Sequence, residues 1–271
     1  MWTGVILGTV GAVSSENWPS IWIILEVNLI CFIPLITKKI EAKKTRLLYF
    51  VVQRVGSLII LRGGVLRDWN TTLRKWVTFG VLLKRRLAPF HFWGAALVSK
   101  LSEITSFIFL TWQKIAPLLI MLLSTGKNLL LIFVLTNVFI SAMCGVGSKK
   151  LNILLFFSGL MHVGWIITAP LLVSTYYYLM YTLSILPLFI PNIKFDHPIL
   201  IMNLAGLPPL TGFIMKLIVL QRIRYGLGCL ILLISSPLIY AYMRSFLSGG
   251  LKHLNIAYPT MLVCTIGWVL V

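Results

Sequence analysis

Apolar runs of roughly 20 residues, the length that crosses a bilayer as a helix, follow one another along nearly the whole chain, parted by short polar or basic links. Within each run the apolar positions are continuous rather than alternating in period two, which favours membrane-spanning helices over barrel strands. Eleven spans can be read, near 2–14, 20–36, 47–61, 76–98, 104–124, 129–147, 151–168, 171–190, 197–220, 226–246 and 256–271. The expected fold is all-α, a polytopic transmembrane helix bundle, with residues 1–271 forming a single membrane domain. No link is long enough to fold as a separate soluble domain.

Two spans are interrupted. The fourth carries Ala88-Pro89, and the ninth carries Gly206-Leu207-Pro208-Pro209-Leu210-Thr211-Gly212-Phe213 followed by Lys216. Proline removes a backbone donor and disfavours helical geometry in the residue before it, so each site threatens to open its helix. The breaks lie five spans apart, so about 2–124 and about 129–246 read as two copies of one five-helix unit, with a C-terminal helix at about 256–271. An odd number of helices inverts the second copy relative to the first. Paired Gly/Pro-interrupted spans in two such halves mark an inverted-repeat transporter. The span after the first break holds Lys114 in Thr111-Trp112-Gln113-Lys114-Ile115-Ala116-Pro117; the span after the second has no equivalent lysine.

Composition agrees with the pattern. The chain is 59% hydrophobic and 11% charged, with a mean hydropathy of +0.96, whereas a soluble domain carries about 25% charged residues. Its net charge of +18 comes from 24 Lys and Arg against six acids. On a soluble chain that imbalance would suggest nucleic acid. Here the cations gather at span ends, so anionic lipid headgroups are the expected counter-charge and nucleic acid is not. Lys and Arg favour the loops after even-numbered spans, led by Lys38, Lys39, Lys43, Lys44 and Arg46, which places the N-terminus on the inner side and the C-terminus on the outer. Cys31, Cys144, Cys229 and Cys264 are isolated in apolar runs, so they read as small buried hydrophobes rather than a disulfide framework or metal site. Met1 leads directly into the first run, so no cleavable presequence is expected.

The chemistry is expected where charge enters the apolar spans: Arg54, Lys84, Arg85, Arg86, Lys114 and Lys216, with Glu26 as the acid. Intramembrane ionisable residues usually face a bundle interior or cavity and pair there. Glu26 is either a carboxyl kept neutral by burial or the partner of an intramembrane lysine. Lys114 sits mid-span, about 15 Å from either interface, beyond the reach of a snorkelling side chain. A buried amine that can be both charged and neutral is what a proton relay needs. Lys84 reads the same way. Lys216 lies near the basic end at Arg222 and Arg224, so snorkelling and a relay role stand side by side. His91 and His162 are either satisfied helix–helix bonds or proton carriers. The Trp and Tyr residues, Trp112, Trp165, Tyr176, Tyr177 and Tyr178 among them, read as packing and interface anchors.

Taken together, Leu25-Glu26-Val27-Asn28, Ala88-Pro89-Phe90-His91-Phe92-Trp93, Thr111 to Pro117, His162-Val163-Gly164-Trp165 and Gly206 to Phe213 resemble the NADH-ubiquinone oxidoreductase chain 2 family. These are mitochondrially encoded, antiporter-like membrane-arm subunits of respiratory complex I. The motifs occur in family order over about residues 22–216. The resemblance implies a proton-translocating subunit of the mitochondrial inner membrane, N-terminus toward the matrix and C-terminus toward the intermembrane space. It implies other membrane-arm and accessory subunits as partners. It implies that Glu26 pairs with Lys84 on the first broken helix, that Lys114 is the central-axis lysine, and that Lys216 follows the second break. NADH, flavin, iron–sulfur clusters and ubiquinone would belong elsewhere in the complex, with no cofactor, metal or redox site on this chain. The chain would be part of the NADH:ubiquinone reductase without carrying its redox chemistry.

Three departures from the family's usual pattern stand out: Lys84-Arg85-Arg86 stands where Lys, an apolar residue and Gly are usual, Arg54 replaces a small or apolar residue, and Met215 replaces a proline. Consecutive helical residues are about 100° apart, so Lys84, Arg85 and Arg86 cannot share one face. Lys84 is expected to face the axis, with Arg85 or Arg86 aimed at an acidic group on another subunit, a lipid phosphate or the aqueous edge. Two other readings compete: a self-contained monovalent cation/proton antiporter using the same broken helices, and a degenerate subunit that only holds neighbours together.

Overall fold

Polarity is inverted relative to a water-soluble protein: Leu7, Ile23, Leu172 and Leu233 point outward, whereas Glu26, Lys84, Lys114, His162 and Lys216 are buried. An apolar solvent produces that arrangement, because hydrocarbon cannot hydrogen-bond the polar groups. The structure, a computed structural model, describes every residue except 1, 16, 37–42, 66–70, 125–126, 190–196, 209, 224 and 251–271, and gives backbone alone at 43, 71–75, 122–124, 127–130, 197–198, 225 and 246–250. The C-terminal helix expected at 256–271 and Cys264 lie outside the described residues.

Among the described residues the chain is all-helical, without strands. The helices are α1 (Trp2–Ser14), α2 (Trp18–Phe32), α3 (Lys43–Val65), α4 (Thr71–Arg85), α5 (Phe92–Val98), α6 (Glu103–Leu110), α7 (Ile115–Ser124), α8 (Lys127–Gly147), α9 (Leu151–Thr168), α10 (Leu171–Ile185), α11 (His197–Ala205), α12 (Thr211–Arg222) and α13 (Tyr225–Gly250). Six segments among the described residues are long and apolar enough to cross a membrane: Trp18–Leu35, Lys44–Val65, Glu103–Met121, Leu151–Thr168, Leu171–Phe189 and Gly226–Ser245. Trp2–Ser14 and Leu131–Gly147 are shorter apolar helices. The chain is a multi-pass membrane protein.

It divides into two compact units, Met1–Leu130 and Leu131–Val271. In the first, α1 packs on α2, and α3 on α2 and α4. Small residues let α3 and α4 approach closely, as membrane helices without a hydrophobic driving force between them require. A Cβ on Gly80 would stand 2.9 Å from the Gly56 carbonyl oxygen, and one on Gly56 would stand 2.8 Å from Lys84 Cγ. In the second unit α9 is buried from Leu154 to Ile167, and α13 passes Pro237 without interruption.

Both expected breaks are present, and both open with the same local motif. After α4, Leu87 N–H donates to the Leu82 carbonyl (3.1 Å) and Arg86 N–H to the Leu83 carbonyl (3.3 Å). After α11, Leu207 N–H donates to the Met202 carbonyl (3.5 Å) and Gly206 N–H to the Asn203 carbonyl (3.0 Å). This pairing of bonds is a Schellman cap, which needs its first residue past the helix in the left-handed region. Gly206 supplies it at φ 75°, and Arg86 supplies it at φ 61°. The fifth span is interrupted as well. Thr111 leaves helical geometry at φ −111°, ψ −82°, a 3₁₀ turn covers Trp112–Lys114, and α7 begins at Ile115. Pro117 then falls in the first turn of α7, where its missing N–H is tolerated, so the opening lies ahead of Ala116-Pro117 rather than at it.

Candidate functional site

Each unit holds a cluster of polar side chains beside its broken helix. In the first, α2 contributes Glu26 and Asn28, α3 contributes Tyr49, Gln53, Arg54 and Ser57, the end of α4 contributes Lys84 and Arg85, and the turn after it contributes Arg86. The 3₁₀ turn adds Gln113 and Lys114. Lys84, Arg86 and Lys114 are 4%, 2% and 1% exposed. Gln53 Nε2 donates to the Lys84 carbonyl (3.1 Å), one of the last carbonyls of α4 that lack a partner within the helix. Gln113 Nε2 donates to Asn28 Oδ1 (3.0 Å), tying the 3₁₀ turn to α2. Trp112 Nε1 does the same for α1 through Thr9 Oγ1 (2.9 Å). Between these groups lies a cavity with about 20 Å³ of space for water centres, lined by Asn28, Tyr49, Gln53, Lys84, Arg86 and Gln113 among others. That suffices for a water molecule.

The sequence leads one to expect Glu26 beside Lys84, and the structure gives Glu26 a different partner. Arg54 Nη1 donates to Glu26 Oε2 at 2.6 Å, and Ser57 Oγ donates to Glu26 Oε1. Arg54 and Ser57 are one helical turn apart, so both reach the same carboxylate from α3. Lys84 and Glu26 interact through space, without an ion pair between them among the described residues.

The expected outward orientation of an arginine is also corrected. Arg85 Nη2 donates to the Lys114 carbonyl (3.3 Å), and Arg86 Nη1 donates to the Phe109 carbonyl (3.0 Å). Both side chains are buried. The 100° fan assumed a continuing helix, but α4 ends at Arg85 and the left-handed turn at Arg86 redirects the chain beyond it. Phe109 is next to the last residue of α6, where carbonyls have no intrahelical donor. The Arg86 guanidinium lies 3.4 Å from the Phe109 ring centroid and 5.5 Å from that of Trp93, a cation–π arrangement.

The second unit gathers His162 from α9, Tyr177, Tyr181 and Ser184 from α10, Asn203 from α11, and Thr211 and Gly212 from α12 around a cavity with about 20 Å³ of space for water centres. His162 Nδ1 and the Tyr177 hydroxyl are hydrogen-bonded at 2.8 Å, and the His162 and Tyr181 rings are 4.9 Å apart. Tyr177, expected only to pack or anchor, is therefore part of the cluster. Asn203 Oδ1 accepts from Thr211 Oγ1 (2.9 Å) and from Gly212 N–H (2.8 Å), bridging the second break. Lys216 does not snorkel toward Arg222: its Nζ donates to the Ala205 carbonyl at 2.5 Å, at the end of α11. A cation there meets the negative pole of the helix dipole. His91 lies at the start of α5 with its ring 4.0 Å from that of Phe92, and lines neither cavity. Among the described residues no three His, Cys, Asp or Glu side chains come together to hold a metal.

Sequence reasoning missed Gln53, Ser57, Tyr49, Gln113, Tyr181 and Asn203. Polar residues one or two turns from an intramembrane charge, on a face that also carries glycine, were the available signal.

No family model matches the chain. The NADH-ubiquinone oxidoreductase chain 2 of Anopheles gambiae is 31% identical over 93% of this chain and 84% of its own length. That of Paradoxurus hermaphroditus is 31% identical over 81% and 74%, and that of Lemur catta 26% identical over 95% and 85%. Among solved structures, a chain of respiratory complex I from Thermus thermophilus with bound Aureothin superposes with a TM-score of 0.82 at 19% identity, over 98% of this chain and 74% of its own. A chain of the Mrp complex from Dietzia sp. DQ12-45-1b gives 0.78 at 17% identity, over 91% and 59%. At those identities the fold is what is shared.

Proposed function

The chain belongs to the NADH-ubiquinone oxidoreductase chain 2 family, and we propose that its two polar clusters carry protons through the membrane arm of that respiratory complex. It is a proton-translocating membrane-arm subunit of an oxidoreductase complex, with other membrane-arm subunits as its partners. The observation that carries the reading is the family likeness over 93% of the chain, joined to amines buried inside apolar helix units. A self-contained cation/proton exchanger is not favoured.

In this reading Lys84 takes a proton at the first break and hands it toward Lys114. Glu26 sets the charge balance of Lys84, and Lys216, His162 and Tyr177 form the corresponding relay in the second unit. His91 has a packing role unless the helix after the first break moves. The eleven-span count, the inverted five-helix repeats of about 2–124 and 129–246 and the C-terminal helix of about 256–271 belong to the same proposal. The matching caps after α4 and α11 support the repeats. The mitochondrial inner membrane, the matrix side for the N-terminus, accessory subunits and anionic lipids as neighbours, and NADH, flavin, iron–sulfur and ubiquinone sites on other subunits belong to the proposal too.

Lys114→Met tests the relay. The substitution keeps length and apolar packing and removes the titratable amine, so the complex assembles and reduces quinone while proton pumping per electron falls. Undiminished pumping in a fully assembled Lys114→Met complex refutes the assignment.

A further inference from the structure

We propose that the cavity of the first unit binds one small monovalent anion, with chloride as the physiological occupant. Two buried cations, Lys84 and Arg86, line it, and no acidic side chain does. The nearby carboxylate, Glu26, is engaged by Arg54 and Ser57. Glu26 acts on Lys84 only through space while bound to Arg54, so positive charge around the cavity exceeds the one nearby negative charge, in surroundings where an uncompensated charge is costly.

The wall is rich in donors. Lys84 lines the cavity, and Glu26 acts on its ammonium only through space, without an ion pair between them among the described residues. Arg86 Nε is buried without a hydrogen-bond partner, its Nη1 being used on the Phe109 carbonyl. Asn28 has its oxygen occupied by Gln113, which leaves its amide N–H groups as donors. Tyr49 adds a hydroxyl. With about 20 Å³ open to water centres, the space takes one monatomic anion, not a tetrahedral phosphate or a lipid headgroup.

The site goes beyond proton transfer, and its test reads binding rather than pumping. The assembled, detergent-purified complex is equilibrated with chloride-36 against gluconate, for native protein, Arg86→Gly and Lys84→Met. Glycine suits the left-handed position at 86, so Arg86→Gly keeps the cap while removing the cation. The native complex is expected to retain one more chloride per copy of this chain than either variant, with half-saturation at least tenfold tighter. Equal chloride retention by native and assembled variant complexes overturns the site. Should neither variant assemble, crystals of the native complex grown in bromide decide: an anomalous peak within hydrogen-bonding reach of Lys84 Nζ and Arg86 supports it, and bromide found only elsewhere overturns it.

Discussion

Arg54→Gln should release Glu26 from the grip of α3 and leave Lys84 as its nearest strong partner. The Arg54–Glu26 contact is 2.6 Å between heavy atoms. Charge centres about 4 Å apart attract by roughly 4 kcal/mol at an effective dielectric of 20 and by about 1 kcal/mol in water. The Arg54 side chain is 43% exposed and Glu26 8%, so screening brings the net value toward the lower end, about 1–2 kcal/mol. One pKa unit, a factor of ten, is about 1.4 kcal/mol, so removing the guanidinium shifts the choice of partner by about tenfold. The assay is a double-mutant cycle in assembled complex reconstituted into vesicles, with proton pumping per electron as the readout. Glu26→Gln should slow pumping about tenfold more in the Arg54→Gln background than in the native one, because only there does Glu26 act chiefly on Lys84. A density map of Arg54→Gln should show the carboxylate turned toward Lys84. An identical Glu26→Gln penalty in both backgrounds, with the carboxylate still on Ser57, refutes the competition.

Gly206→Ala places a side chain at φ 75°, which costs about 1–2 kcal/mol for an L-residue. Its Cβ would also lie 2.7 Å from Lys216 Nζ; thermal unfolding of the complex should move down, and combination with Lys216→Ala should cost less than the sum. Tyr177→Phe deletes the hydroxyl bonded to His162 (2.8 Å) and should cost about 1 kcal/mol while displacing the pH profile of pumping; an unmoved profile takes His162 out of the path. Gly80→Ala meets the Gly56 carbonyl oxygen at 2.9 Å, a backbone atom that cannot rotate away, so α4 must shift at a cost of about 1–3 kcal/mol. Unchanged resistance to detergent unfolding would show that α3 and α4 have slack.

The helical class and the positions of the breaks were legible because length, hydropathy and proline act locally. Ala88-Pro89 and Gly206 to Phe213 announced their openings in the residues themselves. What was not legible needed two helices at once. That Arg54 takes Glu26 depends on how α2 and α3 pack, and the family likeness pointed to Lys84 instead. The inward turn of Arg85 and Arg86 was hidden for another reason: side-chain direction was read from helical spacing, and the cap at Arg86 ends that spacing. Tyr177 looked like one aromatic among many until His162 was placed 15 positions earlier on the neighbouring helix, within bonding distance. Gly56 and Gly80 gave a signal that spacing arguments pass over, since small residues on two helices mean something only when the helices are known to touch.

Arg86 lies against the faces of Phe109 and Trp93 rather than beside a carboxylate. A carboxylate counter-ion can be protonated, so any cation it neutralises feels the acidity of its surroundings. An aromatic face attracts through a fixed quadrupole, and a guanidinium keeps its proton in proteins. Neither half of this pairing responds to pH. The positive charge that Arg86 brings to the first opening is thus set when the chain folds and stays through a catalytic cycle, a standing bias against which the lysines on either side load and unload.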